Sequence, residues 1–180
     1  MVIFEKRVAE LSELALTRFV TRARRAAGLK GAVDILVTSR GEMKSLNRRF
    51  RGKDEATDVL SFPTAADDVR KEFAGEIAIS SEIAAQNAGA LGHSAVEEVK
   101  ILVLHGLLHL QGYDHERDDG EMARREGQLR VQLGLPSGLI ERGGIADRSV
   151  EAVGEGRGKP RLYDKLMKTP NRHVRRKKTR

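Results

Sequence analysis

The chain is predicted to fold as a single compact α/β (α+β) domain, a small mixed sheet of about four strands covered by helices. Three observations lead there. Segments of helical periodicity alternate with short segments of strand periodicity over the first 140 residues. The chain has 180 residues, enough for one well-buried core and too few for two. Beyond residue 140 both periodicities fade into glycines and isolated charges. Residues 1–140 are therefore expected to form the domain, and residues 141–180 a basic, Gly-rich, flexible tail.

The elements follow in order. Residues 1–5 read as a short edge strand. From residue 7 to residue 27, Val8, Leu11, Leu14, Ala15 and Phe19 recur at helical spacing, and Gly28 ends the helix. Val33, Ile35 and Val37 alternate with Asp34, Leu36 and Thr38, a strand with one largely buried face. Ser39 and Glu42 have capping-box spacing, so a helix carrying Met43, Leu46 and Phe50 follows and stops near Gly52. Residues 51–57 are a polar loop, 58–62 a strand closed by Pro63, and 64–73 charged and irregular. Residues 75–80 form another strand, with Ile77 and Ile79 on one face, and 81–91 a modest helix.

Ser94 and Glu97 repeat the capping box and open the most apolar helix, from residue 95 to about 111. It is apolar nearly all round, the signature of a buried helix, and Gly112 suits its C′ position. Residues 118–133 form a last charged, amphipathic helix ending at Gly134 and Pro136.

Composition excludes several function classes. Cysteine is absent, so disulfides, thiolate metal sites, iron–sulfur clusters and cysteine nucleophiles fall together. Apolar runs are far shorter than the roughly 20 residues of a membrane helix, and no secretory signal is visible, so a cytoplasmic protein without a membrane partner is expected. The seven aromatics, five Phe and two Tyr, are too few for an extensive base-stacking platform.

The net charge of +7 is carried by the tail. Residues 141–180 hold 13 basic and 5 acidic side chains, whereas residues 1–140 hold 20 and 21. A basic tail on a near-neutral domain points to a polyanion, nucleic acid first, against the plainer reading of a solvated tail. Residues 1–56 carry a local excess of +6, and Arg22, Arg24, Arg25, Arg48, Arg49 and Arg51 are candidates for a phosphate-tracking surface.

The chemistry concentrates in one segment. His105 and His109 lie four apart on the buried helix, which stacks both imidazoles on one face. Gly112 lets the chain turn back, so that His115 can return as a third ligand. Three imidazoles with an open position describe a catalytic zinc site at the end of a buried helix, where the ion would polarise a substrate oxygen or activate water. A lone histidine in an apolar helix is usually a satisfied core residue, but burying two without a partner costs several kcal/mol. His93 and His173 lie outside the cluster, are given no role and default to the surface. The spacing also resembles the zinc peptidase pattern H-E-x-x-H-x-x-G-x-x-H. It departs from that pattern at Gly106, where the peptidase carries its glutamate base.

Two further segments complete a pattern. Residues 46–63 read Leu-Asn-Arg-Arg-Phe-Arg-Gly-Lys-Asp-Glu-Ala-Thr-Asp-Val-Leu-Ser-Phe-Pro, and residues 75–80 read Gly-Glu-Ile-Ala-Ile-Ser. With residues 105–115, in this order, they closely resemble the YbeY family of metal-dependent endoribonucleases, or rRNA maturation factors. The resemblance spans about residues 30–130 and leaves out the tail. It implies one zinc ion (Zn2+) per chain on His105, His109 and His115. It also implies single-strand cleavage in 16S ribosomal RNA 3′-end maturation and ribosome quality control, with RNA of the small subunit rather than DNA as partner. Arg51 matches the arginine of the family's R-G-K-D segment, which is held to be important for activity. A guanidinium there can bind a phosphate bidentately while a metal neutralises developing charge. Taken alone, Arg51 reads as a solvated charge in a basic loop. Water or the RNA 2′-OH can attack.

Within that frame Asp58 reads as a strand-start hydrogen-bonding group, and Ser61 lacks a base that would make it a nucleophile. Two other functions stand beside the nuclease: a zinc-stabilised, non-catalytic RNA-binding or ribosome-assembly protein, and a zinc peptidase or amidohydrolase. The first draws on the tail and the second on the histidine spacing.

Overall fold

The computed structural model describes residues 1–64, 72–115 and 117–136. The expected tail, most of the irregular stretch 64–73, and His173 lie outside them. The described residues form four strands and five helices: β1 (Val2–Phe4), α1 (Glu13–Ala27), β2 (Ala32–Thr38), α2 (Arg40–Arg51), β3 (Val59–Pro63), β4 (Phe73–Ser80), α3 (Ser81–Leu91), α4 (Ala95–Leu110) and α5 (Glu121–Leu133). The sheet order is β1-β2-β4-β3. β1, β2 and β4 are parallel, and β3 runs antiparallel to β4, giving the expected mixed sheet with β1 at an edge.

Local chemistry explains most boundaries. Ser39, Ser80 and Ser94 each accept a backbone N–H in the first turn of the helix they precede, and Ser94 and Glu97 complete a reciprocal capping box. Gly28, Gly52, Gly92 and Gly134 close helices in the left-handed conformation. Two starts differ from the expected ones. α1 begins at Glu13 and not near residue 7, because Glu10 adopts φ 63 and Ser12 caps the helix. Val8 and Leu11 are buried all the same, packed from the preceding loop. α5 begins at Glu121, since the Asp118 carboxylate accepts the N–H groups of Gly120, Glu121 and Met122 from outside the helix.

Strand alternation sorts the core into two layers. Val33, Ile35, Val37, Val59, Ile77 and Ile79 face α1, α4 and α5, and join the larger cluster. Leu36, Leu60 and Ala78 face the other way and pack with Met43 and Leu46 of α2. β2 is thus covered on both faces rather than one. α4 is the spine of the larger layer: Leu102, Leu104, Leu107 and Leu108 are fully buried, each contributing about 1.5–3 kcal/mol of hydrophobic stabilisation.

Two glycines let α4 lie close on the sheet. A Cβ on Gly106 would come within 2.8 Å of Ile77 Cδ1 and 3.1 Å of Ser61 Oγ. A Cβ on Gly75, at φ 151, would sit 2.4 Å from the Phe62 carbonyl oxygen and 2.8 Å from Leu110 Cδ2. These contacts also set direction. Residue 106 lies over residue 77 and residue 110 over residue 75, so α4 runs antiparallel to β4 and its C-terminus reaches the end of the sheet where β4 begins.

Candidate metal centre

The last two turns of α4 carry His105 and His109, both buried at 8% and 2% exposure. Their Nε2 atoms are 3.2 Å apart. After Leu110 the chain reverses through Gly112 at φ 93, held by Gly112 N–H donating to the His109 carbonyl and Tyr113 N–H to the Leu108 carbonyl. Gln111 anchors the turn to the end of α1, its Nε2 donating to the Ala27 carbonyl at 2.9 Å. The reversal brings back His115, which remains exposed, with ring centroids 5.5 Å from His105 and 5.3 Å from His109. One ligand atom from each of the three residues lies within 4.8 Å of the others.

The donor set fits a small cation. Tetrahedral coordination with Zn–N bonds of about 2.0–2.1 Å separates ligand nitrogens by roughly 3.3 Å, and the His105–His109 pair already stands near that spacing. Burial pushes the His109 pKa down to about 3. The rings of His105 and His115 add to the depression, and the Tyr113 backbone and Glu126 oppose it weakly. His109 is therefore neutral at physiological pH, the form that donates a lone pair.

Glu126 of α5 was not foreseen. Its Oε2 lies 2.7 Å from His105 Nδ1, and its Oε1 accepts from Arg130 one turn on. The signal was present in the sequence. Met122, Glu126, Leu129 and Leu133 are the buried positions of α5, so an acidic residue occupies an apolar stripe.

Arg51 ends α2, half-buried, on the other layer from α4. Its neighbour Phe50 packs edge-on against Phe62 at 5.0 Å, and Phe62 pairs with Glu76 near the start of β4. The C-termini of α2 and α4 therefore reach the same end of the sheet from opposite faces, with edge strand β3 between them. Ser61 of β3 donates to the Gly106 carbonyl at 3.4 Å, a packing role. Asp58 accepts the Val59 N–H at 2.8 Å and an Asn87 N–H at 3.2 Å, the expected strand-start function. Asn47, buried in α2, donates to the Glu55 carbonyl and holds the loop after Arg51.

Four of the other candidate arginines have local partners, and Arg25 is exposed on α1. Arg22 donates to the Leu133 carbonyl and Arg24 to Gly31, so these two fasten α1 to its surroundings. Arg48 pairs with Asp54, and Arg49 lies over the Phe50 ring. His93 is not on the surface: its ring is largely buried and its Nε2 lies 2.8 Å from Oε2 of the fully buried Glu98. A groove beside the histidine turn is lined by Tyr113, Asp114, Arg117, Asp118 and Glu121, three of them acidic. Position 106 faces the sheet, so the glutamate of the peptidase pattern has no room there.

A family model described as Endoribonuclease YbeY matches residues 2–134. An Endoribonuclease YbeY from Koribacter versatilis is 58% identical over 142 residues, covering 79% of this chain and 91% of the relative. One from Solibacter usitatus is 45% identical over 141 residues, covering 78% and 92%. The solution structure of TM1509 from Thermotoga maritima superposes with a TM-score of 0.50 at 30% identity, covering 74% of this chain and 89% of that one. On the family match, the identities and the shared fold, this chain belongs to the YbeY family of endoribonucleases.

Proposed function

We propose that the chain is a zinc-dependent endoribonuclease that cleaves single-stranded RNA in ribosomal RNA maturation, with His105, His109 and His115 as the metal ligands and Arg51 as a phosphate-binding catalytic residue. The observation that carries the reading is the convergence of three imidazoles, two of them buried, at the end of α4. A bound zinc ion would supply Lewis acidity toward a phosphate oxygen and lower the pKa of water.

The protein's own groups divide the remaining work. His109, kept neutral by burial, presents a lone pair from the same helix that carries His105. Arg51 ends α2, and a guanidinium can bind two phosphate oxygens at once, a geometry that lysine does not reproduce. The acidic groove beside the histidine turn repels a polyanion, which favours entry from the α2 side, where α2 ends in Arg48, Arg49 and Arg51. The family supports 16S ribosomal RNA 3′ ends and ribosome quality control as the setting, and with it the cytoplasm. No helix among the described residues is long and apolar enough to cross a membrane. The domain is taken as residues 1–140, with residues 141–180 adding non-specific attraction to RNA.

The test is cleavage of an unstructured RNA by nuclease-free, zinc-loaded protein. Activity should vanish on chelation, return with zinc, and fall sharply in His109→Ala and Arg51→Ala. Equal cleavage by the parent and both variants would trace the activity to a contaminant or to another site.

A further inference from the structure

We infer that Glu126 is a positioning residue for the metal centre: by accepting the Nδ1–H of His105 it fixes the tautomer in which Nε2 is bare and aimed at the ion, and Arg130 holds it there. The inference rests on the metal reading of the three histidines and deepens it.

The argument begins with two distances. His105 presents Nδ1 to Glu126 Oε2 at 2.7 Å and Nε2 to His109 Nε2 at 3.2 Å. A carboxylate accepts and does not donate, so the short contact requires the proton on His105 Nδ1. The metal-binding form of imidazole carries one proton, so with that proton on Nδ1 the lone pair of Nε2 is directed into the cluster. A free imidazole populates both tautomers, and only one can ligate through Nε2. The carboxylate therefore removes a choice that would otherwise weaken ion binding. It also increases the basicity of the ring, since negative charge at Nδ1–H strengthens donation at Nε2.

Burial makes this arrangement strict. Glu126 is 8% exposed and His105 likewise 8%. A carboxylate so placed needs compensation, and Arg130 supplies it one helical turn away, its guanidinium on the other carboxylate oxygen. The Arg130 side chain is itself only 11% exposed, so the pair is shielded from competing water. The relay His105–Glu126–Arg130 joins α4 to α5 beside the apolar side chains that both helices add to the larger core. An ordinary ion pair in an apolar stripe gains little stability over a hydrophobic replacement. Its placement against a ligand nitrogen, rather than elsewhere on the stripe, is what the positioning role accounts for.

The experiment compares the full chain with Glu126→Gln, Glu126→Leu and Arg130→Met, with folding checked by circular dichroism. Zinc affinity is measured by competition with a chromophoric chelator, and the His105 tautomer by 15N–1H correlation in metal-free protein. Glu126→Gln keeps an acceptor and should weaken zinc about tenfold, and Glu126→Leu about 100-fold. The parent should show His105 protonated at Nδ1, with Glu126→Leu shifting the proton toward Nε2. Arg130→Met should fall between the parent and Glu126→Leu in affinity. Affinities within twofold of the parent in both Glu126 variants, or a parent His105 protonated at Nε2, would overturn the inference. A parent that binds no zinc would instead sink the metal reading itself, and the tautomer measurement would still judge the contact. Should Glu126→Leu fail to fold, Glu126→Gln and Arg130→Met carry the same comparison.

Discussion

Gly106 rests directly on Ile77. A methyl group at position 106 would come within 2.8 Å of Ile77 Cδ1 and 2.9 Å of its Cγ2. The residue beside the first histidine thus belongs to the contact between helix and sheet. Gly106→Ala gains about 1 kcal/mol of helix propensity but meets an overpacking cost of about 1–3 kcal/mol. A net loss of about 1 kcal/mol is expected, read as a lower urea midpoint at unchanged slope. A more stable variant would show that the interface yields more easily than the contacts indicate.

Acid should destabilise the metal-free protein through His109. Its folded pKa is about 3 against an ordinary 6.5, so the unfolded chain takes up the proton first. The stability contributed by the neutral ring is complete above pH 6.5 and is lost as pH falls toward 3, at on the order of 1 kcal/mol per unit. Urea titrations at pH 7.5, 6 and 5 on chelator-treated protein measure it, and His109→Gln should flatten the dependence. A parent curve already flat over that range would count against a neutral buried ring.

Arg51 and His109 should separate in their effects. Arg51→Ala is expected to bind zinc like the parent while losing about 100-fold or more in RNA cleavage, with Arg51→Lys recovering only part. His109→Ala should lose zinc and cleavage together. Parallel chelator competition and single-turnover cleavage make the comparison. Loss of zinc in Arg51→Ala would reassign that arginine to the fold.

Removing residues 141–180 deletes 13 basic and 5 acidic side chains. The shortened chain should unfold at the same temperature and bind single-stranded RNA more weakly. Its salt dependence should be shallower by roughly 0.7 for each phosphate the tail neutralised. Filter-binding at several salt concentrations reads the slope. A lowered unfolding temperature would mean that the tail packs on the domain.

Short-range patterns made much of this legible. The helix stops at Gly28, Gly52 and Gly134 and the caps at Ser39 and Ser94 are local chemistry, visible within a few residues. The His105–His109 pair is equally local, four positions on one helix. The start of α1 was hidden because nothing in the apolar spacing records that Glu10 takes a positive φ. The double coverage of β2 depends on α1 and α4 lying over one face of the sheet and α2 over the other, which no local spacing records. Glu126 touches His105 across 21 positions, and only its intrusion into the apolar stripe of α5 hinted at a partner. Spacing alone does not tell the buried carboxylate of Glu98 from a solvated one, which is why the burial of His93 is not legible in the sequence.

The close seating of α4 at Gly75 and Gly106 bears on which ions the centre accepts. Seated without slack, α4 holds both rings at one end of the sheet, where their Nε2 atoms stand 3.2 Å apart. Calcium, with bonds of about 2.3–2.6 Å and a preference for oxygen, is poorly served by so narrow a span. First-row transition ions with short bonds to nitrogen match it, and among them supply rather than shape decides the occupant.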